Sequence, residues 1–156
     1  MAVRGVSKSN VLVAQDGALP EIAAVVQRWG LRLLQNKAGL RLRGGAASDG
    51  AARIAMHYKY ALSSAFELFP TAQAVVVVED DLLFSPDFFE YLLDTAPVLE
   101  EDPTAFVVSA WSDNGFKNHV KDTHALRRTD YFPGLGWLLT RKLYKTELEP
   151  RWPSTH

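Results

Sequence analysis

The feature that most constrains the fold of this chain is a run of four valines, Val75–Val78, that ends directly in Glu79, Asp80 and Asp81. An entirely apolar, β-branched run is typical of a strand buried on both faces, as in a parallel sheet. Ligands of open α/β sheets bind beyond the carboxyl ends of strands, where these three acids lie. Adjacent carboxylates repel one another, and a cation relieves that repulsion. Oxygen ligands suit hard cations such as Mg²⁺ or Mn²⁺, usually shared with a substrate phosphate, so the run predicts a metal–diphosphate site at a sheet edge.

Three other kinds of structure also carry acidic residues after an apolar strand. A solvated turn that leads from a strand into a helix has the same composition, and it stays open at this point. The Walker-B strand of a nucleotide hydrolase looks similar, but no G-x-x-x-x-G-K-[ST] motif occurs in the chain. In bacterial receiver domains the acidic cluster follows the first strand, whereas here about half of the chain precedes it, which disfavours that class.

Length and composition favour one folded α/β domain over the whole chain, residues 1–156. With 47% hydrophobic and 11% aromatic residues, the chain can bury a core, so disorder is not expected. The net charge is −1, from 17 basic and 18 acidic residues. This balance gives no reason to expect nucleic acid or an anionic membrane surface as a partner.

The absence of cysteine excludes disulfides, a thiol nucleophile and cysteine-ligated zinc. No apolar run approaches the ~20 residues needed to cross a bilayer. The first ten residues lack the apolar core of a signal peptide. If the protein works in a secretory organelle, we expect its membrane anchor to lie outside this chain.

Short strands and helices alternate in the first half of the chain. We predict a buried strand over Val11–Ala14 with a turn at Gln15–Gly17, and a second strand over Leu31–Leu34. Pro20 suits the first turn of a helix that runs to about Trp29, where Gly30 ends it. Four residues form the expected apolar face of this helix: Ile22, Val25, Val26 and Trp29.

A glycine-rich segment precedes the most strongly periodic helix. Residues 36–50 contain four glycines with Lys37, Arg41 and Arg43, and their composition predicts a surface loop. The following helix is predicted from Ala51 to Phe69 and is stopped by Pro70. Its apolar stripe at the 3.6-residue period comprises Ile54, Tyr58, Ala61, Leu62, Ala65, Phe66 and Phe69.

In the second half, Ser85–Asp87 predicts a helix start, with a capping hydroxyl, a proline in the first turn and an acid against the helix dipole. Its predicted core face comprises Phe88, Phe89, Leu92 and Leu93. Further predictions are a buried strand over Ala105–Ala110, an apolar segment over Tyr131–Thr140 that bends at Pro-Gly-Leu-Gly, and a short helix from about Lys142 to Leu148. The alternation favours a mostly parallel, layered α/β domain.

Five segments, taken in order and spacing over roughly residues 10–153, resemble glycosyltransferase family 13, the N-acetylglucosaminyltransferase I family. They are Val77–Leu82, Pro86–Tyr91, Val108–Gly115, Arg128–Trp137 and Glu147–Pro153. The E-D-D motif alone is weak, whereas the long F-P-G-L-G-W-L-L and E-L-E-P-x-W-P segments are specific. The protein O-mannose β-1,2-N-acetylglucosaminyltransferase branch shares much of this pattern, but E-D-D and D-N-G lean toward the N-glycan branch.

The resemblance implies a Golgi transferase with a GT-A fold, that is, a Rossmann-like nucleotide-sugar domain with a mostly parallel sheet flanked by helices. It implies inverting transfer of GlcNAc from UDP-GlcNAc to the 2-hydroxyl of an α-1,3-linked mannose on a high-mannose N-glycan. Mn²⁺ is the implied cofactor, with Mg²⁺ less favoured. The expected location is the lumenal face of the Golgi membrane, through a type II anchor outside this chain.

The acidic run takes three roles by resemblance. Asp81 matches the family's metal ligand and would bridge Mn²⁺ to the diphosphate, where the metal offsets charge on the leaving UDP. Asp80 matches the position that meets the ribose hydroxyls, and Glu79 matches one that meets the GlcNAc.

Three further residues match donor contacts of the family. Asp16 matches the acid that accepts a hydrogen bond from uracil, although beside Gly17 it also suits a plain turn. His57 matches a histidine near the uridine, with a structural histidine as the alternative. Leu135 in the Gly-Leu-Gly bend matches a contact to the donor sugar, with core packing as the alternative.

Four residues that match no donor contact of the family are predicted to have structural roles. Trp111 and Trp137 are predicted to lie in the core, and Asp113 and Asn114 to form a turn, although they could face the acceptor.

The chain departs from the family pattern at both ends. The family has an earlier strand with a nucleotide-contacting arginine, and nothing in residues 1–10 resembles it. The family also continues into a W-D-D-W-like segment that holds the proposed general base, an aspartate expected beyond His156. We therefore expect a partial catalytic domain without its base. A non-catalytic, truncated homologue that binds nucleotide-sugar is the alternative.

Overall fold

The computed structural model describes residues 4–37 and 46–153, except for the side chains of residues 46–49. The chain divides into two compact units. Unit 1 comprises residues 1–5 and 74–140, and unit 2 comprises residues 6–73 and 141–156. In the described part of the chain, no helix is long and apolar enough to cross a membrane.

Unit 2 contains a parallel pair of strands, β1 (Leu12–Asp16) and β2 (Arg32–Asn36). Both predicted strands are confirmed, but each lies one or two residues further along the chain. Asp16 is therefore the last residue of β1 and pairs with Asn36, rather than belonging to the turn. Gly17 begins the turn at φ 86°, and its N–H donates to the Asn36 carbonyl at 3.0 Å.

The first helix, α1 (Pro20–Trp29), has the predicted bounds. Gly30 ends it in the left-handed conformation, because its N–H turns back to the carbonyls of the last helical turn. The predicted apolar face is wrong in part: Val26 is buried, whereas Ile22, Val25 and Trp29 are exposed. The narrow two-stranded sheet against which α1 packs covers only the row of side chains around Val26.

The long helix α2 (Ala46–Leu68) starts five residues before the predicted Ala51. Residues 46–50 of the supposed surface loop are thus helical, since one glycine inside a long helix costs only about 1 kcal/mol. Arg41 and Arg43 of that loop lie outside the described residues. The apolar stripe is confirmed at Leu62 and Phe66, which are buried, and is wrong at Ile54, which is 61% exposed.

A helical segment that begins at Arg141 packs against α2 within unit 2. It consists of α5 (Arg141–Leu143), a π-helical turn (Tyr144–Leu148) and α6 (Glu149–Arg151), so the helix predicted over Lys142–Leu148 is confirmed and extended. The fully buried Tyr144 ring lies 5.2 Å from the Phe66 ring, and its hydroxyl is 2.7 Å from that of Ser63. The Trp152 indole donates to the Ala55 carbonyl at 3.1 Å.

Unit 1 contains an antiparallel sheet of three strands in the order β3–β5–β4. The strands are β3 (Ala74–Val77), β4 (Val108–Ser109) and β5 (Trp137–Thr140). The mixed α/β class is confirmed, but a mostly parallel sheet is wrong, because among the strands of the described residues β1 and β2 alone pair in parallel. The apolar segment predicted over Tyr131–Thr140 supplies β5, which lies between β3 and β4 and runs against both.

The valine run forms a shorter and less buried strand than predicted. β3 ends at Val77, its residues are only partly buried, and Val78 is 43% exposed. Within the described residues β3 pairs with β5 alone, so it lies at a sheet edge instead of inside a parallel sheet. The strand predicted over Ala105–Ala110 is likewise reduced to the two residues of β4.

Helix α3 (Phe88–Thr95) covers the sheet of unit 1, followed by the short α4 (Val98–Glu101). Phe88, Leu92 and Leu138 form the buried cluster, and Phe89 packs against it, but Leu93 is wrongly predicted as core and is 64% exposed. The predicted cap is also wrong, since α3 begins after Asp87 without a side-chain cap. The Ser85 hydroxyl donates to the Asp87 carboxylate instead, and this hydrogen bond lowers the pKa of Asp87. The positive charge of Arg4 lowers the same pKa by less.

Candidate functional site

Three segments of unit 1 meet at one edge of the β3–β5–β4 sheet. Val77 at the end of β3 and Ser109 at the end of β4 both pair with Trp137, so the carboxyl ends of β3 and β4 are level. β5 lies between them, which places the two ends two strand spacings apart, roughly 10 Å. The chain leaves this edge through residues 78–81 and 110–113 and enters β5 through residues 134–136. This edge is the candidate functional site of unit 1.

The acidic residues lie at this edge, immediately beyond β3. Glu79, Asp80 and Asp81 are all exposed, and Asp80 and Asp81 form a turn. Among the described residues, no three acidic, histidine or cysteine side chains lie close enough together to hold a metal ion. The carboxylate oxygens of this acidic run still suit a hard cation such as Mg²⁺. Such an ion can bind one or two carboxylates and complete its coordination with waters and substrate phosphates.

The Gly-Leu-Gly bend brings Leu135 to the same edge, where it is half-buried. Gly136 has a φ of 69°, and a Cβ there would lie 2.9 Å from the ring of Phe88, so the bend requires glycine. The Gly136 carbonyl accepts a hydrogen bond from the Ala110 N–H at 2.8 Å, which ties the entry of β5 to the exit of β4.

The segment beyond β4 is fixed by its own hydrogen bonds. The Ser109 hydroxyl donates to the Pro133 carbonyl at 2.7 Å and accepts from the Trp111 N–H at 3.1 Å. The Trp111 indole N–H donates to Asp113 Oδ1 at 3.1 Å. The core prediction is confirmed for Trp137, which is buried, and wrong for Trp111, which is 47% exposed. The predicted turn at Asp113–Asn114 is confirmed and closes from Gly115 to the Ser112 carbonyl.

The other predicted donor residues, Asp16 and His57, come together in unit 2. The His57 Nε2 atom donates to the Ala14 carbonyl at 3.2 Å, two residues before Asp16 in β1. Its Nδ1 atom is buried and has no hydrogen-bond partner among the described residues. Because a carbonyl can only accept, the proton of this hydrogen bond is on Nε2. His57 is therefore a partly buried, backbone-anchored histidine beside the end of β1.

Two neighbours of Asp16 were not anticipated from the sequence. Arg53 on α2 lies 3.6 Å from the Asp16 carboxylate, in an exposed ion pair. The buried Gln15 accepts a hydrogen bond from the Gln35 side chain at 3.0 Å across the parallel pair. The contact between Gln15 and Gln35 could have been predicted from the sequence, because the two residues directly follow the two predicted strands at equivalent positions. Nothing in the sequence indicated that Arg53 would meet Asp16, because that contact depends on how α2 packs against β1.

A family model and a related protein sequence both match this chain, and they agree with each other. The model of the GNT-I family matches residues 4–156. An alpha-1,3-mannosyl-glycoprotein 2-beta-N-acetylglucosaminyltransferase from Arabidopsis thaliana is 43% identical over 104 residues, which cover 67% of this chain and 23% of the relative. The chain therefore matches about a quarter of the length of that relative.

Proposed function

Because the chain belongs to the GNT-I family, we propose that it is part of a glycosyltransferase that moves GlcNAc from UDP-GlcNAc to a mannose of an N-glycan. The proposed acceptor atom is the 2-hydroxyl of an α-1,3-linked mannose, and the proposed reaction inverts the configuration of the sugar. The observation that carries this proposal is the level register of β3 and β4, which gathers the acidic residues, Leu135 and the Trp111 segment at one sheet edge. The proposed fold of the complete enzyme is GT-A.

Unit 1 would hold the metal and the sugar of the donor. Asp81 is the proposed ligand of Mn²⁺, Asp80 the contact to the ribose hydroxyls and Glu79 the contact to GlcNAc. When bound, the metal ion would neutralise charge on the leaving diphosphate. The exposure of the acidic residues supports these roles, because exposed carboxylates are open to a diphosphate arriving from solvent. Leu135 is fixed by the bend at Gly136 and would pack against the donor sugar.

Unit 2 would hold the uracil ring. Asp16 is the proposed acceptor for the uracil N–H, and His57 the neighbouring contact to the uridine. The bond between His57 and the Ala14 carbonyl supports this role, since it fixes the imidazole beside the strand that carries Asp16. The ion pair with Arg53 would have to loosen when Asp16 turns to the base, and such an exposed pair costs about 1 kcal/mol or less to break.

The N-glycan acceptor is favoured over the O-mannose acceptor by the name of the Arabidopsis relative. We propose that the complete enzyme acts in the Golgi lumen, and fluorescence imaging of the tagged full-length protein against a Golgi marker tests that location. A Golgi-excluded signal would contradict it.

The donor site is tested by calorimetric titration of UDP-GlcNAc into the chain, with and without Mn²⁺. We expect Mn²⁺-dependent binding that the Asp81→Ala variant loses, because Asp81 is the proposed ligand of the metal. The matched control is Asp94→Ala, which removes an exposed acid from α3 and should bind as the parent does. Equal binding by the Asp81→Ala variant and the parent would overturn the assignment.

A further inference from the structure

We propose that Trp111 is a stacking platform for the terminal mannose of the acceptor, oriented by Asp113. This inference rests on the proposed function, since it assigns an acceptor subsite to the same sheet edge. Trp111 was predicted to be a core residue, and its half-exposed position is unexplained by packing.

The indole is held in place although nearly half of its surface is open. Its N–H bonds Asp113 Oδ1, and its backbone N–H bonds the Ser109 hydroxyl. The same hydroxyl donates to the Pro133 carbonyl, so the segment after β4 is tied to the segment that enters β5. An aromatic ring that is fixed before binding loses little conformational entropy when a ligand stacks on it.

The platform lies at the edge that carries the proposed donor residues. Ser109 and Val77 are level in the sheet, and Trp111 and Glu79 each follow two residues later. A separation of roughly 10 Å between the strand ends is close to the span of two adjacent sugar rings. Donor sugar beyond β3 and acceptor sugar beyond β4 would thus face each other across the entry of β5.

The chemistry of this pair suits a hexopyranose. The face of an indole is negative, and the axial C–H bonds of a sugar ring carry the partial positive charge that complements it. Asp113 uses Oδ1 for the indole, and its second carboxylate oxygen can accept a hydrogen bond from a sugar hydroxyl. An apolar face flanked by a carboxylate therefore fits a mannoside better than it fits a peptide side chain.

The test uses the ¹⁵N-labelled chain and the indole N–H signals of its four tryptophans, assigned with Trp111→Phe and Trp29→Phe variants. The probe is α-1,3-linked mannobiose, with maltose as the sugar control. We expect mannobiose to move the Trp111 signal progressively while the signal of Trp29, a more exposed tryptophan in unit 2, stays fixed. Binding should weaken about tenfold or more in Trp111→Ala.

Asp113 gives a second, independent measurement. Asp113→Ala should weaken mannobiose binding, and Asp113→Asn should restore most of it, because an amide oxygen can still accept from the indole. A Trp111 signal that mannobiose leaves unmoved, or that maltose moves equally, would overturn the platform. UDP-GlcNAc binding without a Trp111 response would refute the platform alone. A Trp111 response in a chain that does not bind UDP-GlcNAc would support the platform and refute the proposed donor site.

Discussion

At the scale of single residues, Gly136 shows how the site depends on a backbone conformation. Its left-handed φ turns the chain into β5, and the ring of Phe88 occupies the space that a side chain would need. The same residue accepts the hydrogen bond from Ala110, so the bend, the core and the edge of the sheet are joined at one position.

We expect Gly136→Ala to destabilise the chain by about 2–4 kcal/mol, because the new Cβ meets Phe88 and the positive φ strains alanine. The measurement is the free energy of unfolding in urea. The matched control is Gly50→Ala in α2, where a Cβ meets nothing within 4 Å and alanine should stabilise the helix by about 0.5–1 kcal/mol. Equal effects of the two variants would refute this account of the bend.

Tyr144 makes the stability of the chain sensitive to alkali. Burial raises the pKa of its hydroxyl above the ordinary 10.0, and the hydrogen bond with Ser63 lowers it by less. The folded state therefore keeps the proton at a pH where the unfolded state has lost it. Since stability falls with pH wherever the folded state binds more protons, this contribution is complete below pH 10 and declines above it.

We expect the unfolding midpoint in urea to fall as the pH rises above about 10, and to fall less steeply in Tyr144→Phe, which has no hydroxyl to titrate. The comparison is between slopes, because the variant also loses its bond to Ser63 at every pH. Parallel curves for the parent and Tyr144→Phe would contradict the argument.

At the scale of elements, Arg141 terminates α2. Its guanidinium donates to the carbonyl of Phe66 in the last turn of the helix and to those of Phe69 and Ala72 in the turn that follows it. The group also lies 4.6 Å from the centre of the Phe66 ring. One side chain thus ties the last turn of the longest helix in the described chain to the turn that follows it.

We expect Arg141→Ala to cost about 3 kcal/mol in unfolding free energy, since it leaves several partly buried carbonyls without a charged donor. Arg141→Lys should recover only part of this, because an ammonium lacks the planar fork that reaches three carbonyls. Urea denaturation checks both, with the neighbouring exposed Lys142→Ala as the control within about 0.5 kcal/mol of the parent. Full recovery by lysine would show that charge alone, without the fork, caps the helix.

The elements also show what the sequence can and cannot predict. The bounds of α1 follow from Pro20 and Gly30, and both strands of the parallel pair were found, because these signals are local. The antiparallel insertion of β5 depends on which strands it meets, and no local pattern encodes that. Trp111 and Leu93 were placed in the core by their residue type, whereas their exposure depends on what packs over them.

At the scale of the whole molecule, the proposed donor residues divide between the two units. Asp16 and His57 belong to unit 2, whereas the acidic run and Leu135 belong to unit 1. Family membership and the acidic motif were evident from the sequence, because both depend on residues in order. The meeting of Leu135 and Trp111 with the acidic run could not be predicted, because it depends on strand register.

The central claim is that the edge of the β3–β5–β4 sheet holds the metal together with the donor. The most direct measurement is paramagnetic broadening of amide signals in the ¹⁵N-labelled chain by substoichiometric Mn²⁺ in the presence of UDP-GlcNAc. We predict the strongest broadening at residues 78–82, clear broadening at Gly136, and loss of both in Asp81→Ala. Broadening spread evenly over exposed carboxylates, or unchanged in Asp81→Ala, would contradict the account.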